Sequence, residues 1–389
     1  MAEQGGGHRR RCQVCGGGLK RNGRTSSGKT RWRCTSCGSS SSRSRPDVTR
    51  RAQVEAFVAW LTGPVPQAQA SQASARSFRR HTAWCWRIEP VIGVTGEVFD
   101  EVQLDGIYLA GGWCALIAIS RGTVVGLQWC DTEKTAAWMA LLERLPAPGV
   151  AVVDGVSGLT SALAQAWPDT AVQRCLVHVQ RGVRGYLTRH PRTEAGKALR
   201  ALSLQLTKIT TRDQATTWLT ALNAWHQAHG DLIKQRTYAT QPGAIRPQWA
   251  RAGQRWWYTH DRIRRAYRLM ARLARENTLF TYLDERFDGQ GIAATTNQIE
   301  GGINSVLRDL LKRHRGMPPA HQKRAVEWWC YLHSERPTQP ADLARPEHWN
   351  PQPSHPAIDD EPLSPAGYDT TATPEEGLWT RKGWAGRPR

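Results

Sequence analysis

Between Glu97 and the end of the second hundred residues, the hydrophobic period switches to that of strands and then alternates. Few folds accommodate that order. Val98 to Leu109, Trp113 to Ser120 and Thr123 to Cys130 are three β-rich runs separated by glycine or Arg-Gly turns, the pattern of an antiparallel meander. A helix is expected from Thr132, as N-cap, to Leu145, where Pro146-Ala-Pro-Gly149 breaks it. Val150-Ala-Val-Val-Asp154 then reads as a short buried strand, Ser157 to Trp167 as a helix, Ala171 to Val177 as a strand, and a further helix follows. The order βββαβαβα predicts an α/β chain with a mixed sheet in which the first and fourth strands lie side by side.

Such a sheet would bring Asp105, within the first strand, close to Asp154, at the end of the fourth. A third acid, Glu300, lies in Thr295-Thr-Asn-Gln-Ile-Glu-Gly-Gly-Ile-Asn-Ser-Val-Leu-Arg308, at the opening of a predicted helix. Ile299, Ile303, Val306, Leu307, Leu310 and Leu311 give that helix its apolar stripe. Three carboxylates converging from separate segments can hold two Mg²⁺ ions about 4 Å apart, the arrangement used for phosphodiester chemistry. Plainer readings exist for each. Asp105-Gly106 and Asp154-Gly155 also read as strand-ending turns, and Asn297 with Glu300 reads as a capping box. Cys175 and His178 follow Asp154. A Cys-x-x-His pair binds zinc only if further ligands come from elsewhere, and a buried cysteine beside a polar histidine is the alternative.

Residues 1 to 45 hold Cys12-Gln-Val-Cys15 and Cys34-Thr-Ser-Cys37, flanking a Gly/Ser/Arg-rich hairpin. This spacing suits a zinc ribbon, because four thiolates close a tetrahedral structural site and so short a segment has little apolar core of its own. Asp47 is an expected N-cap for a helix running to Leu61, ended by Gly63-Pro64-Val65-Pro66. Short helices near Gln67 to Ser71 and Ser74 to Trp86 follow. The last carries Arg76, Arg79 and Arg80, which suggests a helix-turn-helix with phosphate-contacting arginines, against the alternative of a plain helical linker.

Residues 179 to 290 are too long for a loop and read as a helical insertion, with helices over 193–207, 212–226 and 262–275 and Thr211 or Asp213 capping the second. Eight arginines and one aspartate lie between 251 and 275, interleaved with Trp256, Trp257, Tyr258 and Tyr267. Arg262, Arg264, Arg265 and Arg268, together with Arg308 further on, form a candidate surface for a DNA backbone; a solvated amphipathic face is the alternative. The formal charge of +20 points to a polyanion, and the absence of a long apolar run favours nucleic acid over membrane. No apolar signal segment is evident, and nine cysteines with two C-x-x-C pairs suit a reducing, cytoplasmic setting. Ten of the 22 prolines fall after residue 336, so 337–389 is expected to be a disordered tail.

Leu104-Asp105-Gly106, Val153-Asp154-Gly155, Cys175-Leu-Val-His178 and Thr296-Asn297-Gln298-Ile299-Glu300-Gly301 together resemble the RNase H-like DDE transposases of bacterial insertion sequences, in the Mutator-related group. The resemblance implies a catalytic core in two parts, 93–178 and 291–336, interrupted by the insertion over 179–290 and preceded by a zinc ribbon and a helix-turn-helix over 46–92. It implies Asp105, Asp154 and Glu300 as ligands of two Mg²⁺ or Mn²⁺ ions and Cys175 and His178 as supporting residues. It further implies terminal inverted repeats and target DNA as double-stranded partners, a homodimer or higher assembly, and a place with the bacterial nucleoid. An RNase H-fold nuclease or resolvase, or a DNA-binding regulator without catalysis, would share part of the pattern.

Overall fold

The computed structural model describes residues 11–350 apart from 27, 43–45, 66, 71–73 and 110–111. These fall into two compact units: the described residues up to Val91 together with those from Asp309 onward, and residues Ile92–Arg308.

In the first unit, β1 (Leu19–Arg24), β2 (Thr30–Cys34) and β3 (Ser40–Ser41) form an antiparallel sheet, Leu19 opposite Cys34. α1 spans Pro46–Thr62, α2 Gln67–Ala70 and α3 Ala75–Thr82, with Ser74 capping α3 through the Ser77 amide. The helix begins at Pro46, the favoured first position for proline, so Asp47 lies inside the first turn rather than at the cap. An aromatic core forms where Trp86 meets Phe57 edge-on at 4.8 Å and stacks on His321 at 3.8 Å, with Trp60 against Phe78 at 5.5 Å.

The second unit is built on a five-stranded mixed sheet. Its strands are β4 (Glu101–Tyr108), β5 (Cys114–Ser120), β6 (Thr123–Cys130), β7 (Val150–Val153) and β8 (Ala171–Arg174), in the order β6-β5-β4-β7-β8. β4, β5 and β6 are the antiparallel meander, and β7 joins β4 in parallel with Leu104 beside Val153. α4 (Thr135–Leu142) and α5 (Ser157–Ala166) cover one face, burying Trp138, Leu141, Leu142 and Leu159 against Leu104, Leu116 and Val153. Each such side chain contributes about 1.5–3 kcal/mol. Thr132 does not cap α4: the Asp131 carboxylate takes the Thr132 amide at 2.7 Å in a turn, and the helix starts two residues later from Lys134. β8 ends at Arg174, short of the expected Val177, because α6 (Leu176–Leu187) begins with Cys175 at its N-cap.

α7 (Glu194–Gln205, capped by Thr193), α8 (Arg212–His229, capped by Thr211) and α9 (Asp261–Arg275) form a separate helical cluster with α6 around Leu199, Trp218, Trp225 and Met270. Between α8 and α9, β9 (Arg236–Tyr238) pairs with β10 (Trp256–Tyr258). Residues Gln298–Ile303 then form a single π-helical turn that runs into α10 (Asn304–Arg313). Ile299, Ile303, Leu307 and Leu310 are buried as the stripe predicts, whereas Val306 is exposed.

Returning to the first unit, α11 (Pro319–Leu332) buries Val326, Trp328 and Trp329, and α12 (Pro346–Trp349) follows. The start of the expected disordered tail is therefore ordered: Arg51 pairs with Asp342 at 2.7 Å, and Arg50 lies 4.1 Å over the Trp349 ring. Proline here starts short turns and helices, and Trp349 and Ala341 supply the apolar contacts. The tail from 351 on lies outside the described residues. Among the described residues no helix is long and apolar enough to cross a membrane.

Candidate active site

Asp105 and Asp154 each stand one residue beyond the Leu104–Val153 pair, so the parallel register sets them on neighbouring strands. Asp105 lies inside β4, which continues to Tyr108, so Asp105-Gly106 is not a turn. Asp154-Gly155 is one: Asp154 accepts the Val156 amide at 3.0 Å, and Gly155 has φ +87. Gly155 is needed twice over, because a Cβ there would fall 1.7 Å from the Arg174 guanidinium carbon, whose Nη2 donates to the Asp154 carbonyl at 2.6 Å.

A fourth carboxylate, which the sequence reading missed, joins these two. Glu133, just before α4, projects over β4 into the space a side chain at Gly106 would take: a Cβ there would stand 2.5 Å from the Glu133 carboxyl carbon. The only signal was a glycine inside a strand, a mark of close approach by another group. Burial, then the charge of Asp154, pushes Asp105 up to about 7; burial, then Asp154 and Asp105, does the same to Glu133. Asn304 is the second missed residue. It is 2% exposed and donates Nδ2 to Asp105 Oδ2 at 2.9 Å, leaving its buried Oδ1 without a partner.

Glu300 sits in the π turn, half-buried, and no capping box forms: Asn297 is already helical and its side chain caps nothing. The carboxylate faces α6 instead. Arg181 Nη1 donates to Oε2 at 2.5 Å, and His178 Nδ1 lies 3.2 Å from Oε1, an ion-pair distance without hydrogen-bond alignment. Thr296 Oγ1 donates to Oε1 at 3.4 Å. Glu300 still acts electrostatically on Asp105, raising its pKa. Cys175 is fully buried and accepts the Thr296 amide at 3.3 Å. Burial alone would raise its pKa, but the hydrogen bonds from His178 and Thr296 outweigh it and lower the thiol. For His178 the outcome is reversed, with the Cys175 partnership overcoming burial and raising the imidazole.

The predicted cation surfaces are distributed as follows. Arg76, Arg79 and Arg80 are exposed on α3, Arg79 donating to Gln67 at 2.8 Å. Arg268 and Arg308 are exposed. Arg262 donates to the Tyr186 carbonyl at 2.5 Å, Arg264 stacks on Tyr258 at 3.7 Å, and Arg265 pairs with Asp261 at 2.7 Å. Trp257 is buried. At the N-terminal sheet, Cys12, Cys15, Cys34 and Cys37 are positioned to bind a metal such as zinc. Their Sγ atoms lie within 4.8 Å of one another, and the Ser36 and Cys37 amides point at Cys34 Sγ, as in thiolate sites.

Residues 115–237 match the family described as Transposase, Mutator family. The match covers Asp154, Cys175 and His178 and leaves Asp105 and Glu300 outside it. The chain is 31% identical over 110 residues to the transposase for insertion sequence element IS905 of Lactococcus lactis, covering 24% of this chain and 28% of that protein. It is 31% identical over 141 residues to a probable transposase for insertion sequence element ISRM3-like of Sinorhizobium fredii, 34% of each, and 30% identical over 113 residues to the transposase for ISRM3 of Rhizobium meliloti, 27% of this chain and 28% of that protein. The chain spans about a third or less of the length of these curated relatives. Over its matched segment it is a relative of the Mutator-family transposases of insertion sequences, as the motifs indicated.

Proposed function

We propose that this protein is the DNA transposase of an insertion sequence, with an RNase H-like core that cuts the element's ends and joins them to target DNA through Asp105, Asp154 and Glu300. The observation that carries the reading is the placement of Asp105 and Asp154 on neighbouring parallel strands, with Asn304, the residue that follows the Glu300 turn, hydrogen-bonded to Asp105. The donor set fits Mg²⁺ or Mn²⁺: it is all oxygen, its acids repel one another, and the buried Asn304 Oδ1 beside Asp105 lacks a partner. When bound, two such ions supply an activated hydroxyl and a stabilised leaving oxygen. The chain's own residues do the rest. Asn304 fixes the Asp105 carboxylate, the Gly155 turn fixes Asp154, and the low Cβ-free profile of Gly106 admits Glu133. Arg174 and Arg181 place positive charge at the edge where a phosphodiester would lie.

The four N-terminal cysteines would hold structural zinc, and α1 to α3 would serve as the helix-turn-helix, its exposed Arg76, Arg79 and Arg80 contacting the terminal repeats. Arg268 and Arg308 are free to meet DNA backbone as they stand, whereas Arg262, Arg264 and Arg265 would first have to exchange their internal partners. Paired ends call for a homodimer or larger assembly, in the bacterial nucleoid. The test is cleavage and joining of a labelled duplex carrying the terminal repeats that flank the coding sequence, with Mg²⁺, comparing wild type and Glu300→Gln at matched DNA binding. Cutting and joining by wild type alone supports the reading. Cutting without joining favours a nuclease or resolvase, and binding without cutting by either protein favours a regulator.

A further inference from the structure

Cys175 and His178 were too few to hold a metal by themselves; the fold supplies the missing partner. The π turn carries Glu300 against the first turn of α6, and Cys175 Sγ, a His178 ring nitrogen and a Glu300 carboxylate oxygen all come within 4.8 Å of one another. A tetrahedral zinc ion with ligands at about 2.0–2.3 Å needs donors about 3.3–3.8 Å apart, so closure takes approaches of about 1.5 Å or less. Cys175 at the N-cap and His178 three residues on share one face of α6. The Thr296 amide, donating to Cys175 Sγ at 3.3 Å, is the kind of outer hydrogen bond that fixes a metal-bound thiolate.

We infer that Cys175, His178 and Glu300 form a second metal site, selective for a thiophilic divalent cation such as Zn²⁺, which shares Glu300 with the acidic pair. The selectivity follows from the donors. Thiolate and imidazole favour zinc over magnesium, whereas Asp105 and Asp154 offer oxygen alone. Three protein ligands leave a fourth position for water. One carboxylate cannot serve both centres fully, so zinc here holds Glu300 on α6 and weakens the oxygen site. That consequence rests on the proposed transposase chemistry; the zinc site itself does not.

The test is the zinc content of the full chain after saturation and desalting, read by elemental analysis. Two zinc ions per chain are expected. One should remain in Cys175→Ser and in His178→Gln, both still folded by near-ultraviolet circular dichroism, and one in Cys34→Ser through loss of the N-terminal ion. Co²⁺ in Cys34→Ser should show a thiolate charge-transfer band that Cys175→Ser removes in the double variant. A single zinc in wild type, or two that persist in both α6 variants, overturns the site. Mn²⁺ bound at the acidic pair, followed by paramagnetic resonance, should be weakened about tenfold or more by the second zinc equivalent in wild type and not in Cys175→Ser. Unchanged Mn²⁺ affinity on zinc addition overturns the sharing of Glu300. If Mn²⁺ never binds while the second zinc does, the transposase reading fails and the zinc site stands.

Discussion

Replacing Asp105 by asparagine should stabilise the protein when Mg²⁺ is absent. Folding buries this carboxyl, 8% exposed, beside Asp154, and its pKa rises from 3.8 to about 7. Below pH 3.8 both folded and unfolded chains carry the proton, and the site costs nothing. Between 3.8 and about 7 the unfolded chain has released the proton while the folded chain retains it, so stability falls as pH rises, and above 7 the penalty is complete. Three pH units at about 1.4 kcal/mol each give about 4 kcal/mol. Asparagine keeps an oxygen for the Asn304 Nδ2 bond and carries no charge. Urea unfolding followed by tryptophan fluorescence, in Mg²⁺-free buffer with zinc retained, should show Asp105→Asn more stable than wild type by about 2–4 kcal/mol at pH 8 and by less than about 1 kcal/mol at pH 4.5. Saturating Mg²⁺ should stabilise wild type and leave the variant unmoved. A variant no more stable than wild type at pH 8 would refute the account of Asp105 as a buried acid crowded by its neighbours.

Glu133→Gln should act in the same direction, raising metal-free stability at pH 8 and lowering the pKa of Asp105, measurable by carbon NMR of the carboxyls. Gly106→Ala should leave the fold nearly unchanged, since the atoms it meets are the free end of Glu133, yet weaken Mn²⁺ binding as that carboxylate is pushed aside. Gly155→Ala is the contrasting case. Its φ of +87 and the Arg174 guanidinium above it should cost about 1–3 kcal/mol, seen as a lowered melting temperature. Stripping zinc should unfold the β1–β3 segment while the five-stranded sheet persists, read by amide exchange.

The mixed sheet and its Asp105–Asp154 juxtaposition were legible because period-two runs and Gly/Pro breaks fix strand order, and strand order fixes neighbours. Cys12, Cys15, Cys34 and Cys37 were legible from spacing alone. The surroundings of Glu300 were not. Asn297 and Glu300 have the spacing of a capping box, and nothing local distinguishes that from a π turn whose carboxylate is claimed by Arg181 and His178, over a hundred residues away in sequence. Glu133 and Asn304 escaped for a similar reason: a lone acid in a connection and an amide in a helix gain meaning only when another strand arrives beside them. Residues 337–350 were misjudged from their prolines, although Leu343 and Trp349 in the same stretch argued for packing.

Both compact units are closed by residues far apart in sequence. Asp154 and Glu300 are separated by 146 positions, so at about 5–20 residues per second Glu300 is made on the order of ten seconds after the paired aspartates. α1 waits longer still, since Asp342, the partner of Arg51, is made 291 residues after it. A nascent chain thus lacks a finished first unit until Asp342 has been made and lacks the Arg181–Glu300 pair until Glu300 has been made, and a message truncated before Glu300 yields a protein without the closing piece of either unit.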